Sequence, residues 1–463
     1  MTTKWLFKGC SAPRARTAAI CALVLGVMVA FAPTAVAAPG DLDTRFSSDG
    51  KTTTDFSGTP AQPDIANDVA VQPDGKIIAA GRGGLNLPVV GGTAQFALAR
   101  YNPDGSLDAT FGNGGKVQFR FFDAPNTQFA RNVFVQSDGK VLVSGLAGPN
   151  EQTASAAVAR LNPDGSLDTT FGGGDGKVTL NIGVGSGFRG IAQQSDGKIV
   201  AVGAANTDAF IARFNPDGSL DTTYGSSGTG WEKPTVLAAS HFFDLRLDSS
   251  GRAVVAGFQT TADNTNAVLA ARFTTSGRLD TSFNGVGFTA VPLTPLNDLA
   301  FGVDLDHSKI VLAGVANVND PFNIEGNGKI GVVRLNSDGS LDTSFGGDGK
   351  VVTDVTAKVD QARDVQVQST GKVVVSGMRG ATSAFPADPV DGNTLVARYT
   401  KDGSLDTGFG TGGMVTTSFS GGPDVWRGSE IVGSRLVVAG GATVTKPDGT
   451  QGLSFAVARY RLS

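Results

Sequence analysis

One phrase constrains this chain more than any other. It is an arginine, an apolar or aromatic residue, a turn, then Leu-Asp and an aromatic, as in RYNPDGSLDATFG from Arg100 to Gly112. The arginine recurs as Arg160, Arg213, Arg272, Arg334, Arg398 and Arg459. The aspartate of the pair is Asp43, Asp108, Asp168, Asp221, Asp280, Asp342 and Asp406 in turn. A second phrase, QPDGKIIAAG at Gln72, has further versions starting at Gln136, Gln194, Asp248, Asp306, Gln368 and Val432. The repeat length is 53 to 65 residues, with the arginines closest from Arg160 to Arg213 and furthest apart from Arg334 to Arg398. Self-similarity at such a period marks an architecture built by stacking one supersecondary unit.

Each unit reads as four short strands. In the first these are ANDVAVQ, KIIAAG, FALARYN and GKVQFRF, with Pro-Asp-Gly turns after the first and third. Val, Ile and Ala runs bounded by such turns signal hairpins, and the 64 glycines of the chain support a turn-rich all-β protein. Seven four-stranded units without helical periodicity predict a seven-bladed β-propeller. The chain enters the repeat at LDTRFSSDGKTTTDF, the last strand of a unit, and leaves it at FAVARYRLS, a unit lacking that strand. Residues 42–56 are therefore expected to complete the seventh blade and close the ring.

On these phrases the chain resembles the delta-60 repeat, a bacterial β-propeller repeat, over essentially all of residues 38–463. The resemblance implies a propeller in a secreted or surface protein. It implies no activity.

Residues 1–37 are a different kind of sequence. Lys4, Lys8, Arg14 and Arg16 precede an apolar run from Thr17 to Ala32 and an A-x-A site at Ala35-Val36-Ala37, the pattern of a secretory signal peptide. The run is shorter than the roughly 20 residues a spanning helix needs, and Cys21 follows Ile20, which disfavours a lipid anchor. Residues 38–463 are thus expected to be an extracellular propeller, with no stable membrane insertion after cleavage, no second domain and no wall anchor. Cleavage removes Cys10, Cys21 and four basic residues, taking the net charge from −4 to −8. An acidic chain of this kind disfavours nucleic acid as a partner.

NPDGSLD places Asn102, Asp104, Ser106 and Asp108 at alternate positions, as oxygen ligands for Ca²⁺ are placed. The fourth unit reads FTTSGRLD, however, and the sixth YTKDGSLD. Gly and Leu-Asp persist while the oxygen donors change, so the phrase reads as a turn. No metal or cofactor is called for, and the seven Arg and Asp are expected to pair across each hairpin.

Function is sought on the other face, where loops vary: a long one follows Gly81, a longer one Gly377 and a short one Gly203. Alignment of the units puts Asn67, Arg131, Arg189, Phe243, Phe301, Arg363 and Arg427 in one ring near the channel mouth. Four arginines there can hold a carboxylate, phosphate or sulfate. Alternatively they pair with Asp123, Asp360 and Asp424 and tie blades together. Trp426 and His241 stand near the same mouth, and the candidate ligand-binding residues are Arg131, Arg189, Arg363, Arg427, Trp426 and His241.

Catalysis is poorly supplied. His241 and His307 fall at different points of the repeat, no thiol survives cleavage, and no nucleophile motif is present. Loop acids Asp208, Asp320, Glu325, Asp388 and Asp391 offer carboxylates at unknown separations. The tyrosines occupy framework positions, whereas Phe322 and Phe385 lie in long loops, either as anchors for a protein partner or as residues that fold the loop back. The expected role is binding or scaffolding of an unknown extracellular ligand or protein. The alternative is a carboxylate-dependent hydrolase or lyase acting on an extracellular polymer.

Overall fold

The Pro-Asp-Gly turns close hairpins as their residues dictate. In QPDGK the Gly75 N–H donates to the Gln72 carbonyl at 2.8 Å, and Gly75 takes a φ of 84° that favours glycine. The computed structural model describes residues 37–56, 64–84, 94–123, 127–237, 239–306, 308–320, 324–384, 392–445 and 449–463. Within them are seven four-stranded antiparallel sheets, so the expected propeller is the observed fold. Residues 1–36 of the proposed signal peptide and the longest parts of two loops, residues 85–93 and 385–391, lie outside the described residues.

Blade 1 runs from the channel outward as Ile65–Val71, Ile77–Gly83, Gln95–Tyr101 and Lys116–Phe119. The inner strands of blades 2 to 7 are Thr127–Val135, Ser186–Gln193, Ser240–Leu247, Asn297–Asp306, Val359–Val367 and Asp424–Val432. The outer strand of blade 7 is Lys51–Thr54, paired antiparallel with Gln451–Arg461 in the register Lys51 to Ala458 and Thr54 to Phe455. A bridge from Leu42 to Tyr460 extends this pairing. The two ends of the repeat therefore meet in one sheet, which leaves no open blade at the junction.

Blades are held face to face by apolar side chains. One cluster joins Ile78, Phe96 and Leu98 of blade 1 to Val133, Val141 and Val143 of blade 2. Equivalent clusters fill the remaining junctions, including Val437 and Val457 of blade 7 against Val69 and Ile77 of blade 1. Each fully buried Leu, Val or Phe contributes about 1.5–3 kcal/mol.

The repeated phrase is a second, polar fastening. Arg160 Nε donates to Asp168 Oδ2 at 2.6 Å, and Lys140, from the second phrase, donates to the same oxygen at 2.9 Å. The Arg160 guanidinium stacks over Phe171 at 4.7 Å and its Nη1 donates to the Pro216 carbonyl of the next blade. The same Arg–Asp pairing stands in every blade, and the N–H that follows each aromatic donates to a carbonyl of the next blade, that of the turn aspartate in five cases, as Gly112 to Asp164 at 2.7 Å, and of Ser276 and Pro39 in the other two. Burial alone would raise these carboxyls. Their cationic and hydroxyl partners outweigh it, and Asp342 is held down to about 2. The turn's own carboxylate is also engaged: Asp104 Oδ1 accepts the Ser106 N–H and hydroxyl at 3.0 and 2.6 Å. The phrase is scaffold.

A candidate ligand-binding channel

Every inner strand breaks register at one shared position, and those of blades 5 and 6 break it a second time, at Asp298 and Asp360. At the shared position the pairing with the second strand skips Asn67, Arg131, Arg189, Phe243, Phe301, Arg363 and Arg427, in blade order. The extra residue of a β-bulge has its side chain re-aimed. Here all seven line one central channel of about 510 Å³. The bulge has a mate on the second strand, the glycine that ends the second repeated phrase. A Cβ on Gly257 would lie 1.8 Å from the His241 carbonyl oxygen, and one on Gly314 would lie 1.9 Å from that of Leu299. No side chain fits there, so the glycine permits the backbone approach on which the bulge depends.

At the mouth the arginines are oriented by aromatic rings. Arg189 lies over Phe243 at 4.8 Å and Arg363 over Phe301 at 4.9 Å, and the two rings meet edge to face at 5.1 Å. Opposite them, Arg131 lies over Phe129 at 4.9 Å and reaches Glu151 at 3.5 Å. Arg427 donates to Asn67 Oδ1 at 3.3 Å, while Asn67 Nδ2 donates to the Ala130 carbonyl. Burial and mutual repulsion lower these guanidiniums: Arg189 and Arg363 fall well below the usual arginine value, and Arg427 is lowered by burial to about 10. Arg82, at the end of a second strand, joins the group and is lowered to about 9.

Below the arginines comes a tier of acids that sequence reasoning missed. The residues following the bulges are Asp68, Asn132, Gly190, Asp244, Gly302, Asp364 and Gly428. Asp244 accepts the Leu245 N–H of its own strand at 2.8 Å and the Val303 N–H of blade 5 at 3.1 Å. Asp364 does the same for Val365 and for Ser429 of blade 7, both at 2.8 Å. Asp68 serves Val133 of blade 2, and Asn132 serves Ile191 of blade 3. Two residues further along, Asp304 accepts from Val367 at 2.7 Å and Glu430 from Val71 at 2.5 Å. Arg246 sits among these acids, 3.0 Å from Asp244 and 3.8 Å from Asp304. Burial raises the carboxyls, Asp364 to about 6 and Glu430 to about 7. A legible signal existed: the residue after each aligned ring position is Asp, Asn or Gly in every unit.

The predicted residues divide accordingly. Arg131, Arg189, Arg363 and Arg427 come together at the mouth. Trp426 does not: it is wholly buried between blades 6 and 7, with Phe419 at 5.7 Å, because the residue before a bulge points into the blade junction. His241 lies behind the wall, its Nε2 3.0 Å from the Asn206 carbonyl, and burial followed by Arg189 lowers it to about 4. The expected pairing of the arginines with Asp360 and Asp424 is corrected. Asp360 accepts the N–H groups of Val355, Thr356 and Gly380, and Asp424 those of Phe419 and Thr443. Backbone donors in the connections between blades need acceptors, and these acids supply them. Asp208 pairs with Lys233 at 3.0 Å. His307, Phe322, Phe385, Asp388 and Asp391 lie outside the described residues.

Six segments of the chain, residues 72–111, 136–171, 194–224, 249–283, 308–345 and 390–409, match the model of a family described as a domain of unknown function (DUF5122) beta-propeller. No curated protein sequence matches. Among solved structures, Drosophila Semaphorin 2a is similar at 10% identity and a TM-score of 0.45, over 89% of this chain and 75% of that one. A polysaccharide lyase, an ulvan lyase, is similar at 12% identity and a TM-score of 0.45, over 86% and 94%. A Lactobacillus plantarum protein is similar at 10% identity and a TM-score of 0.39, over 85% and 95%.

Proposed function

We propose that this chain, a β-propeller carrying DUF5122 repeats, is a secreted, non-catalytic binding protein that takes an extracellular ligand at its channel mouth and loop face. The likeness of its units to delta-60 repeats and the signal-peptide pattern of residues 1–37 support the export. The observation that carries the binding is the convergence of seven bulged side chains, four of them arginines, on one cavity at the end where the loops vary. The opposite end is occupied by blade-to-blade fastenings. The acidic net charge supports a partner other than nucleic acid. The test is a thermal-shift screen of extracellular small molecules against the purified protein, since a ligand of the folded state raises Tm. Hits are expected to vanish in Arg427→Gln and to survive in Asp104→Asn, a turn-face control. Hits indifferent to Arg427, or an empty screen, sink the proposal.

The raised carboxyls Asp364 and Glu430 favour the second reading, a hydrolase or lyase that uses a protonated acid. Both also accept backbone N–H groups from a neighbouring blade, which accounts for them without chemistry. Turnover of an extracellular polysaccharide that is lost in Glu430→Gln would establish the enzyme.

A further inference from the structure

We infer that the channel mouth is an oxyanion site, blind below, which holds one sulfate, phosphate or carboxylate group of a ligand whose remainder projects toward the loop face. The inference rests on the binding reading above and names the chemistry of its ligand.

Three features of the mouth argue for it. First, the cations are preoriented. Arg189 and Arg363 are seated over Phe243 and Phe301, and the planar fork of N–H groups on a guanidinium is what a planar or tetrahedral oxyanion receives. Rings that meet each other at 5.1 Å fix the two guanidiniums as a pair, so little rotamer freedom is lost on binding. Second, the arginines repel. Arg189 is depressed by Arg131 and Arg363 after burial, and Arg363 by Arg427 and Arg131. An anion among them relieves that repulsion, which Glu151, 3.5 Å from Arg131, offsets from one side. Third, the floor is acidic, and its sign turns opposite to the mouth as its carboxyls ionise, Glu430 above about pH 7. Asp68, Asp244, Asp364, Asp304 and Glu430 lie further along the inner strands; Arg246 pairs with Asp244 and Asp304 and is felt electrostatically by the other three. An anion is attracted to the upper tier and turned back by the lower one. The channel therefore behaves as a cup rather than a conduit.

The test is isothermal titration calorimetry of the purified protein at about pH 8, where Glu430 is ionised, with sodium sulfate, potassium phosphate and sodium glucuronate, in chloride at constant ionic strength. At least one is expected to bind saturably at one site. Arg189→Gln with Arg363→Gln should weaken it tenfold or more, and Glu430→Gln, which removes a negative charge from the floor and keeps an acceptor for Val71, should tighten it several-fold. If the double variant does not fold, Arg189→Lys with Arg363→Lys replaces it. That pair keeps charge and loses the fork, and it should still weaken binding severalfold. Flat titrations with all three anions, or binding unchanged in the arginine variants, overturn the inference. Spermidine and maltotetraose separate the two failures. If either binds in the channel while the oxyanions do not, the binding reading stands and the oxyanion site falls; if none of the five binds, both fall.

Discussion

At the scale of single residues, the repeat exposes its own missing parts. In blades 1 to 5 the aspartate of the Leu-Asp pair accepts a hydroxyl two residues on, as Asp168 does from Thr170 at 2.7 Å and Asp342 from Ser344 at 2.7 Å. Blade 6 has Gly408 there, and Asp406 receives only its N–H, at 3.2 Å. A Cβ on Gly408 would meet Asp406 Oδ1 at 3.4 Å, an ordinary contact. Gly408→Ser is therefore expected to stabilise the protein by about 1 kcal/mol, read as a rise in the urea midpoint at unchanged m. Glu430 gives a pH signature. Its carboxyl is raised from 4.5 to about 7 in the folded protein, chiefly by burial. A raised folded value favours the protonated form. The stability it supplies is thus complete below about pH 4.5 and is lost as pH rises through 7. Relative to Glu430→Gln, the parent should lose stability on the order of 1–2 kcal/mol across that window. A difference that is flat with pH, measured by urea denaturation, would refute the assignment.

Among elements, the inner strand and its bulge determine what the channel presents. Gly257→Ala places a methyl against the His241 carbonyl, so the bulge at Phe243 must open or the strands must separate. A cost of about 1–3 kcal/mol or more is expected, together with a changed near-ultraviolet circular dichroism signal as Phe243 leaves Phe301. The bulge also explains what was legible in the sequence. Aligned units located the ring because the same residue is extruded in every blade, and paired the Arg and Asp because eight-residue spacing puts both on one hairpin. Trp426 was misplaced because adjacent residues at a bulge face opposite ways, one to the channel and one to the blade junction. Asp360 and Asp424 were misassigned because charge suggests an ionic partner, whereas a strand start surrounded by unpaired N–H groups takes the carboxylate first.

For the whole molecule, closure is the step on which the others depend. The seam is fastened at its outer edge by Lys51–Thr54 and below it by Asp43, which meets Arg45, Arg435, Arg459 and Arg461 at 2.7 to 3.5 Å. These arginines hold the Asp43 carboxyl well below the usual range, although burial opposes them. A chain lacking residues 38–54 loses that strand and that carboxylate together. It should present Gln451–Arg461 as an open edge and associate in a concentration-dependent way, visible by size-exclusion chromatography with light scattering. A monomer of undiminished Tm would show the closing strand to be dispensable.

The inner tiers also bear on whether the blades are interchangeable. Near-identical repeats suggest parts that can be shuffled. Yet of seven equivalent inner-strand positions, three carry aspartate, one asparagine and three glycine, so that Asp68, Asn132, Asp244 and Asp364 each reach an N–H of the following blade while Gly190, Gly302 and Gly428 do not. Asp304 and Glu430 cover the junctions between blades 5 and 6 and between blades 7 and 1. Every blade but the third, which carries Gly190 at this position, is thereby addressed to its successor. Cutting the ring elsewhere and rejoining the old termini would preserve every address, whereas exchanging two blades would leave donors facing glycine. The order of the repeats is itself encoded, in side chains that the repeated phrases do not contain.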